Sequence, residues 1–450
     1  MIANSHCILE AVRASFTKNI KDKDKDKDKD KEIEVNLALS GGCDSVVLLY
    51  ILKSLQKELN LNVNATYIDH GLSDNSNEWL IFCEKICKKN NIYFEHKSIN
   101  IKKLEGLGIE GAARELRYKA LFSMHKGVLV TAHHENDQAE TLILQLIRGA
   151  GLKGLSGMPE YDLKKNIWRP LLNIRRKEIK TFAEMNHIEY IEDESNGDTS
   201  FDRNFLRKEI LPKLYERFPH ASKTISRSAS LIAKGFYLNY SIAKEDSLDY
   251  FSENLTRLNL RMTQELTQER VINLIRWWLE KNEQKMPSLK VMLELYKQIK
   301  NIKKDSLVNI KISQDMSIRA YNNELWLVPI KNTQQNYEIF WRGEEEIMLP
   351  DMSKLLFKRI TGSGISLKKL STSTIRIQNR KGGERFKPAH NEPSRTLKYL
   401  LQKSKMPPWE RDDVPLLFIE DHLIAVPSFG IDHAFHSKKN EDAYQVTWLK

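Results

Sequence analysis

Six consecutive residues, Ser40-Gly41-Gly42-Cys43-Asp44-Ser45, carry the most explicit chemistry in the chain, set between the apolar runs "LAL" and "VVLLY". A strand that turns sharply into a helix aims several unpaired backbone N–H groups and the helix dipole at one point, which suits an anion. Gly41 and Gly42 permit torsions and a close approach that side chains would block, and Ser40 and Ser45 add hydroxyl donors. A Walker-type loop would carry a lysine and a longer glycine spacing. Neither is present, so the loop is built to grip something other than a transferable γ-phosphate. Asp44 would repel a bound phosphate unless a cation intervened, which makes it a Mg²⁺ ligand bridging to pyrophosphate. A plain strand-to-helix turn explains the glycines, but not serine on both sides with an aspartate inside.

The elements that must position this loop follow from periodicity. Between Ile33 and Arg217 short apolar runs ("EIEVNLALS", "VNATYID", "IYFEHKS", "GVLVTA") alternate with amphipathic stretches at Ser45–Lys57, Ser76–Asn90, Gly111–His125 and Asn136–Arg148. This is the rhythm of an α/β fold with a doubly wound parallel sheet, whose ligands sit outside the carboxyl ends of the strands at the topological switch point. The spacing of Val271, Leu274, Ile275 and Trp278 predicts a mostly helical domain over 218–330, ending in two strand-like runs. Residues 347–450 return to alternation with Gly and Pro punctuation, predicting a small α+β C-terminal domain. The first domain is expected to span 1–217. Within it "KDKDKDKDKDK" (21–31) sets like charges at i,i+4 in a helix and segregates them in a strand, so a disordered insertion is expected.

At 450 residues two or three domains are expected, and 71 Lys and Arg against 60 Asp and Glu, a net +11, point to a polyanionic partner, nucleic acid first. No run of about eighteen apolar residues and no signal-peptide layout is present, so no membrane partner and a cytoplasmic location are expected. Cys83 and Cys87 are four apart with no second close pair, so the reading is buried reduced thiols, not a zinc or iron–sulfur site.

The loop is similar to the SGGxDS PP-loop of the N-type ATP pyrophosphatases, which cleave ATP between the α- and β-phosphates and adenylate an acceptor. Further stretches follow in order: "IDHGL" (68–72), "GIEGAARELRY" (108–118), "HENDQAETLILQLIRG" (134–149), "RPLL" (169–172) and "EDESNGDTSFDRNFLR" (192–207). With the C-terminal "NRKGGERFKP…TLKYLLQKSKMPPWERDDVPLL" they resemble the long form of the tRNA(Ile)-lysidine synthetase family. The resemblance implies ATP and Mg²⁺, with tRNA(Ile) bearing a CAU anticodon and L-lysine as substrate partners; the sequence leaves the oligomeric state open, a homodimer included. It also implies a two-step reaction in which the C2 oxygen of cytidine 34 attacks the α-phosphate and the lysine amine then displaces AMP.

Residue by residue, Ser40, Gly41, Gly42, Cys43, Asp44 and Ser45 would hold the ATP phosphates, and Asp69 and His70, closing the second strand, would lie where the adenine is met, His70 being equally readable as a core histidine. His134, Asp137 and Glu140 open a helix after "GVLVTA". Asp137 and Glu140 share a face and either hold Mg²⁺ or an ammonium or complement the helix N-terminus. The family usually reads His-x-Asp-Asp-Gln, whereas Asn136 stands where the first Asp is expected; the metal role is assigned to Asp137 alongside Asp44, and Asn136 is read as a tolerated cap. Because a lysine ammonium must lose a proton before attack, Glu140 is nominated to receive it. Arg114 and Arg117, three apart, suit either a phosphate clamp, Arg114 catalytic, or a solvated pair. Arg203 and Arg207 grip the anticodon backbone or tie helix to sheet, and the basic series Arg380, Lys381, Arg385, Lys398 and Arg411 suits RNA phosphates or a merely solvated face. The rival readings are a tRNA base thiolase, which would need paired cysteines, and a non-catalytic RNA-binding relative.

Overall fold

The computed structural model describes residues 2–21, 32–69, 71, 75–99, 109–124, 127–192, 199–251, 255–302, 308–330, 336–370, 374–387, 393–427 and 429–449. The Lys-Asp run, apart from Lys21, and His70 lie outside the described residues, as do the side chains of 109–114. The chain forms two compact units, Met1–Tyr240 and Ser241–Lys450.

The first unit opens with α1 (Ile2–Asn19), followed by β1 (Ile33–Ala38), α2 (Cys43–Leu55), β2 (Leu61–Asp69), α3 (Ser76–Lys89), β3 (Tyr93–Ser98), α4 (Ile109–Met124), β4 (Val128–Val130) and α5 (Glu135–Ile147). Then come α6 (Leu152–Leu155), β5 (Tyr161–Asp162), β6 (Ile167–Trp168), α7 (Arg176–Met185), α8 (Asp202–Phe205), a π-helical turn (Leu206–Ile210), α9 (Leu211–Arg217) and α10 (Ala221–Tyr250). The six strands lie in the order β3-β2-β1-β4-β6-β5; all pairs are parallel except β5–β6. Successive connections run from β1 outward to β2 and β3 and then return to β4 on the other side. The switch point is therefore the gap between the carboxyl ends of β1 and β4, where a doubly wound sheet leaves its crevice.

Burial explains the apolar runs. Val35 and Leu37 of β1, all of β4 and nine residues of α2 are buried, as parallel strands covered on both faces require. α1, unforeseen in the sequence, lays Ile8, Val12 and Phe16 at i, i+4 and i+8 into the same core. Its Ser15 Oγ accepts from the buried indole of Trp168 at 2.9 Å, and the Phe16 ring meets that indole edge-on at 5.8 Å. Strand β1 thus begins at Ile33, just after the Lys-Asp run, and ends at the glycine loop.

In the second unit, β7 (Arg257–Asn259) joins an antiparallel sheet in the order β7-β10-β9-β8, with β8 (Asn309–Lys311), β9 (Met316–Tyr321) and β10 (Glu324–Pro329). α11 (Met262–Glu265) precedes α12 (Gln268–Lys281) and α13 (Leu289–Lys300). Val271, Leu274, Ile275 and Trp278 of α12 are fully buried, as their spacing predicts. Beyond Tyr337 two antiparallel sheets share one core, one built from Glu338–Trp341, Ile375–Gln378, Leu416–Ile419, His422–Val426 and Gly430–Ile431. The other contains Glu346–Met348, Lys354–Thr361, Asp442–Leu449 and Ile365–Ser366.

Candidate active site

The glycine loop is shaped by its backbone. Gly41 sits at φ +81°, a left-handed torsion that non-glycine residues rarely adopt, and a Cβ there would lie 3.4 Å from Cys83 Sγ and 3.5 Å from Ile191 Cδ1. Its carbonyl accepts from the Ile191 amide at 2.9 Å, which pins the turn to the chain leaving α7. Gly42 is the N-cap of α2 and supplies no side-chain cap, so no capping side chain competes with an anion for the amides that open the helix. Ser45 Oγ donates to the Gly42 carbonyl at 3.0 Å and lies 3.1 Å from Ser40 Oγ, so the two hydroxyls flank the turn as a pair. Cys43 is buried, and its thiol is pushed up to about 11 by desolvation and then by Asp44. It contributes its backbone position, not its sulfur.

Across the switch point stands the start of α5. His134 is its N-cap: the Asp137 amide donates to His134 Nδ1 at 3.3 Å, and the His134 amide donates to Asp137 Oδ2 at 3.0 Å. This reciprocal box leaves His134 Nε2 facing Asp44 Oδ2 at 3.6 Å. Burial disfavours the imidazolium, but Asp137 and Asp44 outweigh it and hold His134 above its ordinary value. Arg176 Nε, at the first position of α7, lies 3.7 Å from the same Asp44 oxygen. Asp44 Oδ1 is buried with no hydrogen-bond partner among the described residues.

That orphaned oxygen is what a Mg²⁺ ion would satisfy, since Mg²⁺ at a nucleotide site takes one or two carboxylates and completes its shell with phosphates and water. Asp44 fits that role. Asp137 does not offer a second free carboxylate. Its Oδ2 is held by the capping amide, and its Oδ1 accepts from Arg203 Nη2 and Arg207 Nη2, both at 3.2 Å. Among the described residues no group of three or more His, Cys, Asp or Glu converges on a metal position.

Glu140 sits one turn further along α5, with its side chain 2% exposed. Arg203 Nε donates to Oε2 at 2.8 Å, while Arg207 Nε and Nη2 reach Oε1 at 2.7 Å and Oε2 at 2.8 Å. The expectation that Glu140 receives a lysine ammonium thus meets a carboxylate with both oxygens engaged. Of the two readings of Arg203 and Arg207, a grip on RNA backbone or a tie between elements, the hydrogen bonds describe a tie. Their forks turn inward and tie α8 and the π-helical turn to α5. Although burial pushes the Asp137 carboxyl up, His134, His133 and the two guanidiniums outweigh it and hold it well below the usual carboxylate range.

Asn136 is not the cap. Its Oδ1 accepts from the Arg176 amide at 3.2 Å and its Nδ2 donates to Tyr215 Oη at 3.4 Å, so it joins α5 to α7 and α9. Asp69 closes β2, where its Oδ1 accepts from the Gly71 amide at 2.8 Å. Arg117 of α4 leans over the Tyr118 ring at 5.9 Å; the Arg114 backbone is helical, and its side chain lies outside what is described. In the second unit Arg380 of the basic series is held as a tether. Its Nε and Nη1 lie 3.4 Å from Glu384 Oε2 and Asp412 Oδ1, with 12% exposure. Arg411 likewise donates to the Met406 carbonyl at 2.9 Å and to Tyr321 Oη at 3.1 Å. Lys381, Arg385 and Lys398 are exposed. The sequence reading missed Arg176 and Glu135. Arg176 belongs to "RRKEI", directly after "RPLLNI", and only the fold carries it to Asp44.

A glycine turn opening onto an uncapped helix at the β1/β4 switch point, with an orphaned carboxylate oxygen in its first turn, defines a PP-loop ATP-binding protein. Residues 10–214 match the PP-loop domain model, 258–326 the TilS substrate binding domain and 375–448 the TilS substrate C-terminal domain. The tRNA(Ile)-lysidine synthase of Nitrosomonas europaea is 36% identical over 92% of this chain and 91% of its own length. That of Coxiella burnetii is 35% identical over 91% and 92%. Among solved structures, the U34-tRNA thiolase of Methanococcus maripaludis is similar at 21% identity and a TM-score of 0.41, over 51% of this chain and 80% of that one. The chain belongs to the tRNA(Ile)-lysidine synthase family, ATP-dependent ligases built on a PP-loop domain.

Proposed function

We propose that the chain joins L-lysine to C2 of cytidine 34 in the CAU anticodon of tRNA(Ile), through an adenylated cytidine, releasing pyrophosphate and then AMP. The observation that carries this reading is the intact Ser40–Ser45 turn facing His134 and Arg176, in a chain that matches lysidine synthases over nine-tenths of its length.

The geometry supports a division of labour. The Ser40 and Ser45 hydroxyls and the α2 amides bind the ATP phosphates, and Asp44, whose Oδ1 is buried with no partner among the described residues, would hold Mg²⁺. Mg²⁺, when bound, would neutralise charge developing on the departing pyrophosphate. Arg176 adds a fixed positive charge beside it. The C2 oxygen of cytidine attacks the α-phosphorus and the bond to the β-phosphate oxygen breaks. In the second step the neutral lysine amine attacks C2, the bond to AMP breaks, and the amine proton leaves to solvent or a nearby base. His134, held by its capping box, orients Asp44, and Glu140 positions Arg203 and Arg207 behind the site.

The test is incorporation of labelled lysine into tRNA(Ile) transcript bearing CAU, with ATP and Mg²⁺. Incorporation that disappears when position 34 is changed to U supports the reading. Absence of lysine incorporation alongside sulfur transfer to the same tRNA would overturn it in favour of thiolation.

A further inference from the structure

The helix α10 carries a surface that the site chemistry does not use. From Ala221 to Lys244 it contains no Asp or Glu, while Lys223, Arg227, Lys234 and Lys244 are all basic. At 3.6 residues per turn, Lys223, Arg227, Ser230, Lys234 and Tyr237 fall within an arc of about 80° and span about 21 Å of helix. All five are exposed, Tyr237 to 61%. Among the described residues no ion pair neutralises Lys223, Arg227 or Lys234. Such a stripe is unusual for a solvated helix face, which ordinarily mixes both signs.

Its position gives it an address. Ser222, immediately before Lys223, is buried and donates through Oγ to Glu135 Oε1 at 2.6 Å. Glu135 opens α5, next to His134. The amino end of the stripe therefore lies beside the first turn of α5, the helix that faces the glycine loop.

We infer that this face of α10 docks the phosphate backbone of the tRNA as it leads away from the reacting base. The inference rests on the tRNA reading above and adds a surface to it. The cations supply phosphate contacts at intervals of one to two turns, Ser230 adds a hydroxyl donor, and Tyr237 offers a ring for a sugar or an unstacked base. Leu231 and Leu238, 59% and 64% exposed, flank the stripe.

The experiment uses the full chain with Lys223, Arg227 and Lys234 all changed to Gln, and follows tRNA(Ile) transcript binding over a salt series. The expected result is at least a tenfold weaker Kd at physiological salt and a slope of log K against log salt reduced by about two to three. Turnover at saturating tRNA should be unchanged. Unaltered Kd and slope would overturn the inference. So would dissociation of a wild-type dimer by Leu231→Ser with Leu238→Ser while the triple variant keeps full tRNA affinity, since the face would then be a contact between copies. If wild-type protein binds tRNA but incorporates no lysine, the proposed reaction fails, and a triple variant that still loses affinity upholds the docking surface.

Discussion

Arg207 meets Glu140 side-on, Nε to Oε1 at 2.7 Å and Nη2 to Oε2 at 2.8 Å, and the same Nη2 reaches Asp137 Oδ1 at 3.2 Å. Two guanidiniums and two carboxylates thus close on one another behind the capping box, with each fork shared between carboxylates one turn apart on α5. Paired forks of this kind give fixed geometry as well as attraction.

Removing one member should cost far more than the pair contributes. Glu140→Ala leaves two partly buried guanidiniums sharing Asp137 Oδ1 alone and should destabilise the protein by about 3–5 kcal/mol. The combined change of Glu140, Arg203 and Arg207 to Leu with Asp137→Asn, which leaves no carboxylate of the clasp unpaired, should cost less than Glu140→Ala alone. Urea unfolding of the two variants decides it.

Acid should release the same clasp through Asp137. Its folded-state pKa is depressed, so its contribution is present above the ordinary carboxyl value, about 3.9, and is lost as pH falls through the folded value. Wild-type stability should therefore drop more steeply than that of Asp137→Asn between about pH 4 and pH 2. Parallel slopes for the two proteins over that range would contradict the assignment.

Gly41→Ala should impair ATP use without unfolding the chain. The Cβ contacts, at 3.4 and 3.5 Å, are ordinary van der Waals distances, whereas the +81° torsion is strained for alanine at a cost of about 1 kcal/mol or more. Pairing it with Cys83→Ala relieves the contact but not the torsion. The KM for ATP should thus stay raised in the double variant.

Asp44→Asn should abolish AMP and pyrophosphate formation while leaving the Kd for tRNA(Ile) within about twofold of wild type. Lost tRNA binding with unchanged ATP turnover would remove Asp44 from the Mg²⁺ role.

Thiol chemistry should separate one cysteine from three. Cys7 is exposed, whereas Cys43, Cys83 and Cys87 are buried, and burial pushes the Cys83 and Cys87 thiols up to about 12. A thiol reagent at pH 8 should modify one group rapidly and the remainder only in denaturant.

Much of the first unit was legible because parallel strands buried on both faces read as apolar runs. The stretches "EIEVNLALS" and "VNATYID" become β1 and β2 within a few residues, and helix α3 begins at Ser76 as expected. The helix after the loop starts at Cys43, two residues before the expected Ser45, because Gly42 in extended backbone leads straight into it. What was not legible depends on partners far along the chain. One-turn spacing shows that Arg203 and Arg207 share a face, but Glu140 lies 63 positions from Arg203, and no local pattern names it. The same limit hid Arg176, which reaches Asp44 only because α7 packs on α2. By contrast, α1 carries a readable signal, Ile8, Val12 and Phe16 recurring every four residues on its buried face.

The Lys-Asp run joins the fold at the amino end of β1, and the glycine loop leaves from the other end, six residues or about 20 Å away. A tandem dipeptide gains and loses units two residues at a time during replication. Because β1 takes its register from β2, Ile33 opposite Leu61, each such change in length is absorbed before the sheet begins. A change of repeat number would leave the strand register, and the glycine loop at the opposite edge, in place.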